Sequence, residues 1–190
     1  MRRKGKLMTK NAVRPSEKNC LNRVGVETPL GRMTAVFSPQ GLCLLEFDGQ
    51  QHLDRELKAV CLHHHAYGFA TEETDETQNL RRQLDEYFAG RRQKFDLPLD
   101  LVGTSFQKQV WHILQTIPYG ETRSYKQQSE TLGNPKAIRA VAAANGANKI
   151  SIIVPCHRII GSNGSLTGYA GGLPRKQALL ALESGNASLF

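Results

Sequence analysis

At 190 residues the chain is long enough for one domain or two small ones, taking roughly 150 residues per domain, and too short for a large multidomain enzyme. Hydrophobic residues make up 39% and charged residues 22%, the balance of a globular protein with a real core, which excludes disordered and collagen-like chains. The formal charge of +8 is unevenly spread: seven Lys and Arg against one acid over residues 1–20, nine against thirteen over 21–100, and nine against three over 101–190.

Residues 1–20 carry many charges and little apolar periodicity, so they read as a basic flexible arm. No apolar stretch approaches the ~18 residues needed to cross a bilayer, and the basic start leads into no hydrophobic segment, so a soluble cytoplasmic protein is expected. Three short runs, RVGVE, RMTAVF and LCLLEF, are separated by TPLG and SPQG, the signature of an antiparallel meander. Leu53, Leu57, Val60 and Cys61 then recur at helical spacing, as do Leu80, Leu84, Tyr87 and Phe88, with Gly90 as a stop signal. The acidic ATEETDETQ between them reads as a loop. Residues 21–98 thus form a small sheet with helices and no evident chemistry.

The four cysteines lie far apart without a CxxC pair, so they are expected as thiols rather than a disulfide framework. Cys61 with His63, His64 and His65 resembles a zinc fragment, but the spacing fits no closed zinc motif. No metal site is expected.

After the extended FDLPLDL the character changes, and residues 99–190 form a second unit. Thr104 or Ser105 can cap a helix whose Phe106, Val110, Trp111, Leu114 and Ile117 share one face, with Trp111 in the core. IPYGE forms a loop, a short helix follows over residues 124–132, and Gly133 ends it. Asn134 as N-cap and Pro135 at the first position open a second helix to about Asn145. Two short helices around a Gly-containing turn outline a helix-turn-helix. In AIRAVAAAN, Ile138 and Val141 are inward anchors, Arg139 is the single large cation, and the alanines leave room to approach a phosphate backbone or groove. Such a helix also arises from alanine's helix propensity alone.

The run SIIVPCHRII places Cys156 after an apolar, strand-like stretch and beside His157 and Arg158, groups that favour a thiolate. In an extended segment adjacent side chains face opposite ways, so His157 would need a water to reach the thiol. Glu183, the only acid after Glu130, is the local candidate to orient the imidazole. GSNGSLTGYAGG supplies a hairpin turn at Gly161 and Gly164 and a slot for a flat ligand around Tyr169, but lacks nucleotide-binding glycine patterns.

From residue 103 to 183 the strings GTSFQKQVW, IPYGETRSY, IRAVAAANGANKISIIVPCHRII, GSLTGYAGG and LLALE closely resemble the O6-alkylguanine-DNA alkyltransferases, most nearly the bacterial Ogt-type branch. The PCHR string with its flanks is highly specific; the first 98 residues match in length and layout. The resemblance implies an α+β fold: a small N-terminal ribonuclease H-like α/β domain packed on a C-terminal helix-turn-helix, winged-helix-like domain. It implies a monomer without cofactor that acts on double-stranded DNA carrying O6-alkylguanine and is spent after one transfer to Cys156.

By the same resemblance, His157 through a water and Glu183 activate the thiol, Asn148 braces the neighbouring turn, and Tyr125 helps protonate the leaving base. Arg139 fills the gap left by the extruded nucleotide, with Ala140, Ala142 and Asn145 close to DNA. Ile159, Tyr169, Ala170, Gly171 and Ser151 border the alkylguanine. This chain departs from many relatives at Ala142, where they carry glycine, and at Lys149, where they carry proline. Ser151 and Asn145 stand where some relatives carry bulkier residues, from which a roomier pocket that accepts alkyl groups beyond methyl is expected. The residues also admit a helix-turn-helix protein that binds lesions without turnover, against which the presence of Cys156 counts. A cysteine hydrolase would need an oxyanion hole and would leave Arg139 unexplained.

Overall fold

The structure, a computed structural model, describes residues 19–185. The expected arm falls outside the described residues except for Asn19 and Cys20. Cys20 opens the first strand, and the Asn19 carbonyl accepts a hydrogen bond from the Tyr67 amide at 3.0 Å.

The expected meander forms as β1 (Cys20–Val26), β2 (Met33–Ser38) and β3 (Gly41–Phe47), all antiparallel. A short β4 (Gly68–Ala70), not expected from the sequence, adds parallel to β1 and gives the order β3-β2-β1-β4. Every residue of β2 and nearly every residue of β3 is buried, so both faces of the sheet are covered. One face carries α1 (Leu53–His63), whose Leu53, Leu57 and Val60 meet Leu21, Val36 and Leu44. A register shift at Val36 and Phe37 leaves Cys43 as an extra residue, and its thiol donates to the Val36 carbonyl at 3.2 Å.

The other face packs on α2 (Asp75–Phe88) and on the second half of the chain in one continuous core. The end of the acidic segment expected as a loop is helical: Thr74 caps α2 through a reciprocal capping box with Thr77, and the acids Asp75 and Glu76 sit at the positive end of the helix dipole.

In the second half, α3 (Ser105–Gln115) is capped by Thr104 with Gln107, and Trp111 is buried with its indole N–H donating to the Ala144 carbonyl at 2.8 Å. The turn after it closes on Gly120, and β5 (Arg123–Ser124) leads into α4 (Tyr125–Thr131), capped by Ser124. The following helix starts later than expected. Residues 134–137 form a turn closed by Ala137 N–H to the Asn134 carbonyl, and α5 (Ile138–Gly146) begins with no side-chain cap. Of its two expected anchors only Val141 is buried; Ile138 is 39% exposed. β6 (Ile159–Ile160) pairs parallel with β5, so Gly161 and Gly164 form a turn but not a hairpin. α6 (Leu173–Glu183) closes the core with Leu179 and Leu182. Among the described residues, no helix is long and apolar enough to cross a membrane.

The free edge of β3 is what couples the halves. Leu42 exchanges backbone hydrogen bonds with Pro98 and Asp100, and Leu45 with Lys149 and Ser151, all at 2.8–2.9 Å. An edge strand presents unpaired amides and carbonyls that need partners. Here the linker and the segment leading to Cys156 supply them, so the first half, expected to be without chemistry, registers the reactive segment.

Candidate active site

Asn148, buried just after α5, organises the residues up to the cysteine. Its Oδ1 accepts from Ile150 N–H at 3.0 Å, and its Nδ2 donates to the Val154 carbonyl at 2.8 Å and to Cys156 Sγ at 3.3 Å. Between these anchors Ile152 is buried at φ +71°, a left-handed conformation that a β-branched residue rarely adopts. One tight three-residue turn is centred on it, Ile153 N–H to Ser151, and a second follows, Cys156 N–H to Val154 around Pro155 at φ −83°, ψ 63°. The apolar run expected as a strand is therefore a chain of turns, and Cys156–Arg158 is one 3-10 turn rather than extended backbone. Neighbouring side chains in such a turn diverge by about 120° instead of facing opposite ways. Asn148→Ala is expected to cost about 1–3 kcal/mol, because it leaves buried backbone groups unpaired beside a strained residue. Denaturant unfolding measures it, and a cost near zero would show that the turn holds without Asn148.

Glu183, at the last position of α6, is the hub of the site. Its Oε1 accepts from His157 Nε2 at 2.9 Å, Arg158 Nη2 at 2.9 Å and Tyr87 Oη at 2.8 Å, and its Oε2 from Arg158 Nε at 2.8 Å and Gly120 N–H at 3.3 Å. Burial pushes this carboxyl up, but the hydrogen bonds from His157 and Arg158 outweigh it and hold the group well below the usual carboxylate range. Arg158 meets Glu183 through two nitrogens and donates its third to the Ile117 carbonyl at 2.6 Å.

The tautomer of His157 follows from this hub. Glu183 is ionised and accepts only, so Nε2 carries the proton and the lone pair lies on Nδ1. Nδ1 is buried and has no hydrogen-bond partner among the described residues. Burial lowers the affinity of the ring for a second proton, while Glu183 opposes that effect. The ring is thus a neutral base whose protonated form has a carboxylate behind it.

Cys156 is 7% exposed, and burial pushes its thiol up to about 11, against lowering by the Asn148 hydrogen bond and the Lys176 charge. Burial thus favours the thiol over the thiolate, in keeping with the expectation that His157 and Glu183 activate a thiol. Activation has to come from a base on demand.

The expected pocket residues lie around this centre. Tyr169 stands edge-on to His157 at 6.4 Å between ring centroids, its buried hydroxyl without a partner among the described residues. Ser151 is buried and donates to Glu46 Oε2 at 3.0 Å. Ile159 is buried, Ala170 is half-buried, and Gly171 is buried under the Tyr169 ring. A Cβ at Gly171 would sit 2.7 Å from Tyr169 Cε1 and 3.0 Å from the Phe47 ring. Gly171→Ala is accordingly expected to shift Tyr169 and slow the reaction of the thiol with a planar electrophilic base about tenfold or more, consistent with the ~10²-fold sensitivity of catalysis to small misplacements. Single-turnover rates check this; an unchanged rate would remove Tyr169 from the pocket wall.

Tyr125 lies at the margin, half-buried, with Oη donating to the Thr167 carbonyl at 3.4 Å. Arg139 and Ala140 are exposed on α5, and Ala142 is half-buried. Asn145 is not on that outer face. It is buried between the two helices, exchanging hydrogen bonds of 2.6 and 3.2 Å with Gln128, so it fixes the helix pair instead of facing outward. The cleft of about 350 Å³ lined by Phe95, Leu97, His112, Ile153, Pro155 and Arg158 does not include Cys156 in its lining and borders the site through Pro155 and Arg158.

Four participants escaped the sequence reading. Tyr87 sits on an apolar helical stripe and reads as core, and Glu46 ends a buried strand. Arg158 adjoins the cysteine but was read only as a nearby charge. Lys176 is fully buried and donates to the carbonyls of Ile159, Thr167 at 2.6 Å and Gly168 at 3.3 Å, pinning the glycine-rich loop. Its signal was present: Lys176, Leu179, Leu182 and Glu183 share the buried stripe of α6.

Comparison with known proteins bears on the whole arrangement. Residues 25–101 match the family described as the ribonuclease-like domain of 6-O-methylguanine DNA methyltransferase, and residues 105–185 match its DNA binding domain. A methylated-DNA–protein-cysteine methyltransferase of Methanosarcina barkeri is 43% identical over 162 residues, 85% of this chain and 96% of its own. That of Mycolicibacterium paratuberculosis is 63% identical over 101 residues, 53% of this chain and 61% of its own length. Among solved structures, Mycobacterium tuberculosis OGT in complex with DNA superimposes with a TM-score of 0.75 at 42% identity, over 88% of this chain and 96% of that one.

Proposed function

Since the chain belongs to the 6-O-methylguanine DNA methyltransferase family, we propose that it repairs DNA by direct reversal, moving an alkyl group from O6 of guanine in duplex DNA to Cys156. The observation that carries the reading is the chain of contacts Cys156–Asn148 and His157–Glu183–Arg158, together with a small-residue helix that exposes Arg139.

Inside a duplex the alkyl carbon is out of reach, so the nucleotide has to be extruded at a cost of a few kcal/mol. Arg139, exposed on α5, enters the stack and offsets that cost, while Ala140 and Ala142 let the helix backbone approach the DNA. The extruded base enters beside Tyr169, Ala170, Gly171, Ile159 and Ser151. His157 Nδ1 takes the thiol proton through a water, and Glu183 stabilises the resulting imidazolium. Sγ then attacks the alkyl carbon: the S–C bond forms, the C–O6 bond breaks, and the electron pair leaves on guanine. Tyr125 Oη supplies a proton to the departing base. The thioether is stable, so one molecule repairs one lesion. The protein works as a monomer, and no step calls for a metal or cofactor.

The test is intact mass after incubation with a duplex carrying one O6-methylguanine, followed by peptide mapping. A gain of one methyl on the Cys156 peptide, stopping at one equivalent, is expected. Tight lesion binding with unchanged mass would leave only a recognition protein, and multiple turnovers would point to a hydrolase.

A further inference from the structure

Outside this site, one cluster joins the end of β3 to the start of α1. Glu46 is completely buried, Glu56 is 3% exposed, and His52 lies directly before the helix. His52 and Glu56 stand four residues apart, the spacing that puts two side chains on one helical face, and that face lies over the strand end carrying Glu46. One ligand-capable atom from each of the three lies within 4.8 Å of the others, with His52 Nε2 at 3.9 Å from Glu46 Oε2.

What the cluster lacks is a close partner for its charge: Lys149 and Arg55 act on Glu56, and Arg175 on Glu46, from beyond ion-pair distance, and burial pushes both carboxyls up to about 7. Glu56 Oε2 and His52 Nε2 are buried without a hydrogen-bond partner among the described residues. Glu46 is better served, by Phe47 N–H at 3.0 Å and Ser151 Oγ at 3.0 Å. Among the described residues no Lys or Arg nitrogen pairs with either carboxylate. Two buried carboxyl groups and an imidazole nitrogen converging with unused lone pairs can hold a cation in place of protons.

We propose that Glu46, His52 and Glu56 bind a divalent transition-metal ion of the zinc type. One imidazole and two carboxylates form a borderline N/O ligand set suited to zinc; calcium and magnesium prefer six or more oxygens, and copper(I) prefers thiolates. The His52 side chain is 20% exposed, which gives the ion an entry path. Occupancy would tie α1 to β3 and, through Glu46 and Ser151, to the turn before Cys156. The proposal stands on its own geometry and is independent of the alkyl-transfer reading. It also departs from the sequence reading, which placed the zinc-like residues at Cys61 and His63–65.

The test uses the full chain stripped with a chelator and titrated with Zn²⁺ against a chromophoric competitor, with metal per chain counted by elemental mass spectrometry. One zinc per chain is expected. His52→Ala and Glu56→Gln should each weaken binding by about tenfold or more, since even outer-shell changes cost about that much. Glu56→Gln removes a buried charge without changing shape, so loss of binding in that folded variant cannot be put down to misfolding. Zn²⁺ should raise the melting temperature of the parent chain and not that of His52→Ala. Co²⁺ should give d–d bands without thiolate charge transfer. Substoichiometric zinc, equal affinity in both variants, or a thiolate band that disappears on substituting the cysteines would overturn the assignment.

Discussion

Replacing Glu183 with alanine should produce the largest loss of stability of any single change in the site. It strips the partner from Arg158, His157 and Tyr87 at once, in a place where all three are buried. Removing one member of a buried ion pair costs about 3–5 kcal/mol, because the remaining charge is left desolvated. For a chain of this size that corresponds to a melting temperature lower by roughly 6–20 °C. Glu183→Gln keeps the shape and one acceptor and should cost less, while still slowing alkyl transfer because the imidazolium loses its counter-charge. Scanning calorimetry with single-turnover rates separates the two effects; a Glu183→Ala protein as stable as the parent would dismiss the hub.

The pH dependence carries a definite sign. The Glu183 carboxyl is held well below its unfolded value, so its contribution is present above the ordinary carboxylate range and lost as pH falls. His157 acts in the same direction: burial lowers its folded value, so the folded state disfavours the proton that the unfolded chain takes up below about pH 6.5. Glu183→Ala keeps the His157 share, and Glu46 and Glu56, pushed up to about 7 by burial, act the other way in both proteins, so the difference lies lower: below about pH 4.5, where the parent loses the Glu183 contribution, the variant should show a flatter acid limb. Parallel acid limbs in both proteins would place the titrating groups elsewhere.

The second large effect is expected at Arg139. If its side chain fills the space of the extruded nucleotide, Arg139→Ala removes the compensation for flipping, a few kcal/mol, and lowers transfer from duplex DNA by roughly 10²-fold. Transfer from free O6-benzylguanine needs no extrusion and should proceed at the parent rate. Equal losses on both substrates would mean that Arg139 supports the pocket and not the duplex. Because Arg139 is exposed, the substitution should leave folding unaltered.

Much of the fold was legible because it is locally encoded. TPLG and SPQG mark the turns of the meander, and the 3.6-residue stripes of α1, α2 and α3 show through their leucines and aromatics. Where local cues compete, the reading drifted. Asn134 and Pro135 have the residue types of a helix start, yet they form a separate turn, and α5 opens at Ile138. SIIV has the composition of a strand, but its backbone groups are captured by Asn148 and it folds into turns.

By itself, the sequence determined the meander, the helices and a candidate nucleophile, since each rests on residue types and spacings within about a dozen positions, and through its longer strings the likeness to a family. The tertiary structure alone decided that Tyr87 meets Glu183 across 96 residues, that Ser151 meets Glu46 across 105, and that β3 lends its open edge to the turn before Cys156. Such pairings leave no periodic trace, because a buried carboxylate finds its donors wherever the packed core brings them, at any separation along the chain.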